Sequence, residues 1–140
     1  MEEIKNILVP IDGSKNSFKA LRKAIYLAKK CDASITALYV LRVAYGSPNL
    51  IYVPQTQNEL KKVEKFLNTA KNQVTKDSVS FKKKILFGHE AKKIMDFAQK
   101  QRFDLIVMGA RGRGVIKQMF LGSVSNTVVH NSKIPVLIIK

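Results

Sequence analysis

The chain has 140 residues, of which 46% are hydrophobic, enough for one core of ordinary size, so a single domain over residues 1–140 is expected. Its lone cysteine, Cys31, excludes an internal disulfide and fits a reducing compartment, and the first apolar run, residues 7–9, stops at Pro10, far short of a signal-peptide core or a membrane span. The expectation is a cytoplasmic protein with no membrane partner, whose formal charge of +15, from 25 basic and 10 acidic residues, makes polyanions the partners to weigh.

Residues 4–11 read as a first strand with Ile7, Leu8 and Val9 as its buried run, followed by Asp12-Gly13-Ser14 as turn and helix cap. Phe18, Leu21, Ile25 and Ala28 then recur at helical spacing, with lysines on the other face through Lys30. Ser34 to Leu41 form a second strand, and the helical crossover makes it a parallel neighbour of the first. Residues 42–57, with Gly46, Pro48 and Pro54, read as a surface loop lying over the site as a lid. Leu60, Val63, Leu67, Ala70 and Val74 mark a second helix by their spacing.

The third strand, residues 79–87, alternates Val79, Phe81 and Lys83 with polar neighbours, and its lysines at 82–84 suit a sheet edge. Gly88-His89-Glu90 opens a third helix with Ala91, Ile94, Phe97 and Ala98 inward, ending near Arg102. His89 reads as a turn or capping residue, because no second histidine or cysteine lies at metal-ligand spacing, and His130 is equally isolated. Leu105-Ile106-Val107-Met108 is an unbroken apolar run of the kind a strand buried on both faces shows, and residues 135–139 form a fifth, short strand. The alternation of strands and helices predicts an α/β fold with a doubly wound parallel sheet and helices on both faces.

The stretch after the fourth strand carries the chemistry. Gly109, Gly112 and Gly114 follow closely, with Arg111 and Arg113 between them, and Gly122-Ser123 opens a helical segment over residues 124–130. Glycines let backbone N–H groups approach an anion, and a helix amino end adds unpaired donors and partial positive charge, so the expected guest is a phosphate. Gly109 and Gly114 have the separation of a Walker A loop, but Val115-Ile116 stand where its lysine and hydroxyl belong. The dinucleotide fingerprint fails as well, since Lys117 occupies the place of its third glycine.

What remains, glycine, two residues, glycine, nine residues, Gly-Ser, resembles the nucleotide-binding signature of the universal stress protein family. Val-Pro-Ile-Asp-Gly-Ser at 9–14, Gly88 with Ile94 and Ala98, Asp-Leu-Ile-Val-Met-Gly at 104–109, Leu-Gly-Ser-Val-Ser at 121–125 and Ile-Pro-Val-Leu-Ile-Ile at 134–139 resemble segments of the same family. The resemblance implies a five-stranded parallel sheet ordered 3-2-1-4-5. It also implies a site at the carboxyl ends of strands one and four, taking ATP or another adenine nucleotide, with Mg2+ as an optional companion. In it Pro10, Ile11 and Asp12 would line the adenosine end, Asp12 accepting from a ribose hydroxyl, and Val40 would contact adenine. Met108 and Gly109 would lie near the ribose, with Arg111, Gly112, Arg113, Gly122, Ser123, Val124 and Ser125 around the phosphates. Ala110 stands where the family commonly has a hydroxyl residue. A homodimer through the edge strand Val136 to Ile139 is implied too, and its apolar residues argue for cover of that edge on their own account.

No nucleophile with a base, no paired carboxylates and no magnesium-binding lysine loop stand out. The expectation is therefore a regulatory, stress-response nucleotide-binding module with at most slow ATP hydrolysis. The competing reading is a nucleic-acid or anionic-partner module using the basic surface. Lysines come in scattered doublets and one triplet with no aromatic interleaving, so they read as solvated helix faces, and any nucleic-acid binding is expected to be non-specific.

Overall fold

The computed structural model describes residues 3–42, 54–112 and 120–140. In chain order the elements are β1 (Asn6–Pro10), α1 (Lys15–Cys31), β2 (Ser34–Leu41), α2 (Pro54–Lys76), β3 (Phe81–Phe87), α3 (Glu90–Lys100), β4 (Leu105–Gly109), α4 (Ser123–Asn131) and β5 (Val136–Ile139). The strands pair in parallel into a five-stranded sheet of order β3-β2-β1-β4-β5. Both the order and the two-faced architecture expected from the sequence are therefore present.

The layers follow from the period of a strand, whose successive side chains point to opposite faces. Ile7, Val9, Ile35, Ala37, Leu105 and Val107 turn toward α1 and α2, where Leu21, Ala24, Val63 and Leu67 meet them. Leu8, Leu38, Ile106 and Met108 turn the other way, onto Ile94 and Ala98 of α3 and Val128 of α4. Ile7, Leu8 and Val9 are wholly buried, and side chains of this kind contribute about 1.5–3 kcal/mol each when removed from water. That burial on both faces is why the central strand reads as an uninterrupted apolar run.

The helix ends explain themselves locally. Ser14 caps α1, its hydroxyl accepting from Ser17 N at 3.1 Å, and Asp32 closes the same helix in the left-handed region at φ 54°. His89 caps α3, Nδ1 accepting from Lys92 N at 3.4 Å, the capping role expected for it. Of the boundaries that differ from the sequence reading, two have a clear local cause. Helix α2 starts at Pro54 rather than after Gln57, because proline's fixed φ and missing N–H suit the first helical position. Strand β3 starts at Phe81 rather than Val79, because Ser78 adopts φ 60° and Val79 N still bonds back to Val74 O of α2. The expected lid falls mainly on residues 43–53, which lie outside the described residues, as do Arg113 and Gly114.

Candidate functional site

Strand β1 lies between β2 and β4, and the chain crosses from one half of the sheet to the other at that point, so a crevice opens beyond the strands' carboxyl ends. Pairing between β1 and β4 registers Ile7 with Leu105 and Leu8 with Ile106. A cavity of about 510 Å³ lies over this opening. Its walls include Pro10, Ile11, Asp12, Val40, Met108, Gly109, Arg111, Gly112, Gly122, Ser123, Val124 and Ser125. Every expected contact residue except Arg113, which lies outside the described residues, is thus brought to one cavity.

At one end of the cavity the backbone dominates. Gly122 is the N-cap of α4 and makes no side-chain capping bond; Asn126 N is the first amide to bond within the helix, at 2.9 Å to Gly122 O. The amides of Ser123, Val124 and Ser125 therefore have no intrahelical acceptor, and the helix dipole adds to their positive character. Ser125 does something else with its hydroxyl. It is buried and donates to Ala110 O at 2.5 Å, while Gly122 N donates to the same carbonyl at 2.7 Å, so Ser125 fastens the helix start to the glycine loop instead of offering a free donor.

The loop is fastened a second time from α1. Asn16 Nδ2 donates to Arg111 O at 3.0 Å and reaches Ile139 O at 3.5 Å, and Ala110 N donates to that Ile139 carbonyl at 2.8 Å. Close packing against backbone fixes one glycine here, and a side chain crowds another. A Cβ on Gly109 would sit 2.8 Å from Asn16 Nδ2 and 3.0 Å from Asn16 O, and a Cβ on Gly112 would run into Asp12 Oδ2. A Cβ on Gly122, in contrast, would meet nothing nearer than 3.6 Å, an ordinary van der Waals contact with the loop.

The other end is built from side chains and a strand edge. Asp12 Oδ1 accepts from Ser14 N at 2.9 Å, which holds the carboxylate at the mouth of the cavity facing Gly112. In a parallel strand alternate residues turn their amide and carbonyl to alternate neighbours. Ile11 N bonds Leu38 O at 2.8 Å on the β1 side and Gly88 N bonds Leu41 O at 2.9 Å on the β3 side. Val40 accordingly turns its N–H and C=O toward β1, whose pairing with β2 has already ended at Pro10 and Leu38. The amide and carbonyl of Val40 form a donor and acceptor pair on the cavity wall.

Tyr39, Glu59, Arg42 and Glu90 are among the wall residues that escape the sequence reading. Tyr39 donates its hydroxyl to Glu59 Oε1 at 2.5 Å and packs edge-on against Phe66, tying β2 to α2. Arg42 Nε pairs with Glu90 Oε1 at 3.0 Å, tying the end of β2 to the first turn of α3. Their signal lay in the strand order, which sets the carboxyl end of β2 beside the opening. Asn16 left no signal, since its loop partner is 95 residues away. The arrangement offers amides to an anion at one end and a carboxylate with a backbone donor and acceptor pair at the other. Such a set suits a nucleoside phosphate.

The profile of the Universal stress protein family matches residues 3–140. A universal stress protein of Methanocaldococcus jannaschii is 37% identical over 146 aligned positions, covering 97% of this chain and 82% of the relative. The universal stress protein UspA from Lactobacillus plantarum superposes with a TM-score of 0.90 at 29% identity, with both chains covered in full. A universal stress protein from Archaeoglobus fulgidus, solved in complex with dAMP, shares the fold at a TM-score of 0.75 and 19% identity, again over the whole of both chains.

Proposed function

The chain belongs to the universal stress protein family, and on that footing we propose that it is a regulatory, stress-response module binding an adenine nucleotide, with ATP as the first candidate, in the crevice between Asp12 and the loop leading to Ser125. The observation that carries the reading is the uncapped amino end of α4, set against a glycine loop in one cavity wall. The amides of Ser123 to Ser125 and the Arg111 guanidinium receive the phosphates. The Asp12 carboxylate accepts from a ribose hydroxyl. Val40 supplies a donor for a ring nitrogen of adenine and an acceptor for its exocyclic amine, a pattern that guanine, with a carbonyl in place of that amine, does not match.

Met108, Pro10 and Ile11 give the base and sugar an apolar bed. The dAMP held by the Archaeoglobus relative belongs to that protein; support here comes from this chain's own donors and acceptors. Among the described residues no group of three or more acidic, histidine or cysteine side chains is placed to hold a metal. Mg2+ accompanying ATP would thus take its ligands chiefly from phosphates and water. Among the described residues no helix is long and apolar enough to cross a membrane.

The dimer belongs to the same proposal. Strand β5 is a sheet edge, and all of Val136, Leu137, Ile138 and Ile139 are only partly covered. Pairing of β5 with its copy across a two-fold axis satisfies the open backbone groups and buries those side chains. The site is tested by calorimetry with ATP, adenosine and GTP, beside mass spectrometry of nucleotide released from the denatured protein. Saturable ATP binding with weaker adenosine and negligible GTP is the expected result. ATP and GTP bound equally, or neither bound, refutes the assignment.

A further inference from the structure

The exposed face of α1 is chemically unlike a mixed, solvated helix surface. Lys15, Lys19, Arg22, Lys23, Lys29 and Lys30 are all exposed, and the helix carries no acidic residue along its length. At 3.6 residues per turn these six cations fall within a sector of roughly 120°, and the stripe runs about 22 Å along the axis. Tyr26 stands at the centre of that sector. It is 56% exposed, with the ammonium groups of Lys23 and Lys30 at 5.8 and 5.7 Å from its ring. One exposed aromatic ring thus stands among the cations of this helix.

Like charges at i, i+3 and i, i+4 oppose helix formation, and here the stripe has little to offset them. Among the described residues, Lys29 alone of the six forms an ion pair, with Asp77 at 3.3 Å; the exposed Asp32 lies just past the helix end. A polyanion would relieve the repulsion.

We propose that the Tyr26-centred basic stripe of α1 is a docking surface for single-stranded nucleic acid, independent of the nucleotide crevice. The cations follow the phosphate backbone, and Lys23 and Lys30, long and exposed, swing onto phosphates and leave the tyrosine ring to stack on an unpaired base. A membrane surface fits less well, because the apolar face of α1, with Ala20, Leu21, Ala24, Ile25 and Ala28, is buried against the sheet and has nothing left to insert. A duplex fits less well too, since its bases are already stacked.

The test is fluorescence anisotropy with a labelled oligothymidylate about twenty nucleotides long, at low and at physiological salt. Wild type binds, with affinity falling as salt rises. Tyr26→Ala weakens binding about tenfold, while Tyr26→Phe, which keeps the ring, stays near wild type. The Lys23→Gln, Lys30→Gln pair lowers the slope of log affinity against log salt by about 1.4. Excess ATP leaves binding unchanged, separating the stripe from the crevice. The exposed positions allow all variants to fold, which matching thermal melts verify. The proposal is overturned by no binding, by equal affinity in Tyr26→Ala, by competition from ATP, or by inorganic polyphosphate or a duplex bound as tightly as the single strand. Capture by phosphatidylserine vesicles without oligonucleotide binding assigns the stripe to membranes instead.

Discussion

Substituting the glycines around the loop one at a time should separate folding from binding. At Gly109 an alanine Cβ lies 2.8 Å from Asn16 Nδ2, which must swing aside, and 3.0 and 3.1 Å from the Asn16 backbone O and C, which are anchored in α1. Overpacking of this kind costs about 1–3 kcal/mol, and displacing the Asn16 amide from Arg111 O adds about 1 kcal/mol. Together these lower Tm by about 10 °C in a chain of this length. At Gly122 the nearest neighbours of a Cβ are Ala110 O and Arg111 Cα at 3.6 Å and Gly112 N at 3.8 Å, and φ is −71°, so an alanine methyl fits without strain. The weaker capping by alanine and the lower entropy of its unfolded chain, each about 0.5–1 kcal/mol, offset one another. The methyl nevertheless occupies the gap between the loop and the first amides of α4.

Loss of two charge-assisted hydrogen bonds there costs about 3 kcal/mol, roughly a 150-fold weakening of ATP. Gly122→Val, with two more methyl groups, should abolish binding. Differential scanning calorimetry without ligand and titration calorimetry with ATP read the two quantities separately. Gly109→Ala should lose stability, and the Gly122 variants should lose affinity alone. Wild-type affinity in Gly122→Val refutes the phosphate cradle, and a wild-type melt for Gly109→Ala refutes the packing argument.

Arg111→Ala is expected to weaken ATP about tenfold or more, the range for a hydrogen bond to a charged group, and adenosine hardly at all; equal losses by calorimetry would mean that the loop had collapsed. Light scattering should give twice the 15.8 kDa chain mass for wild type and a smaller mass for Ile138→Pro, which lacks the strand's hydrogen-bond donor; a monomeric wild type removes the dimer, and a persistent dimer in the variant moves it to another surface. Arg102 holds φ 57° just past α3, so Arg102→Gly should raise stability by about 1 kcal/mol in chemical denaturation, and an unchanged midpoint would show that the arginine is not strained.

What the sequence made legible was whatever depends on short-range pattern. Ile7 to Val9 and Leu105 to Met108 announced buried strands because burial on both faces leaves no room for polar residues, and the glycine spacing announced the loop because few side chains tolerate such approach. The start of α2 was partly hidden: Gln55, Thr56, Gln57 and Asn58 are polar, so periodicity set in only at Leu60, although Pro54 at the first helical position was itself a start signal. Tyr39 with Glu59, Arg42 with Glu90 and Asn16 with Arg111 were illegible for another reason. Each joins elements that meet only once the sheet is assembled. The stripe around Tyr26 lay in plain view as residues, and only rotation about the helix axis gathered them onto one side.

The carbonyl of Ile139 accepts from Ala110 N and lies within reach of Asn16, a contact spanning 123 residues. During synthesis α1 and the glycine loop are complete before β5 has been made, and until β5 joins the sheet the Ala110 amide has no such acceptor and the loop no second wall. Contacts of this sequence separation close late because the entropy of a long loop must be overcome first. A nascent chain therefore carries the amides at the start of α4 in an unassembled form, and the loop beside them is fastened from both sides only after the fifth strand has joined the sheet.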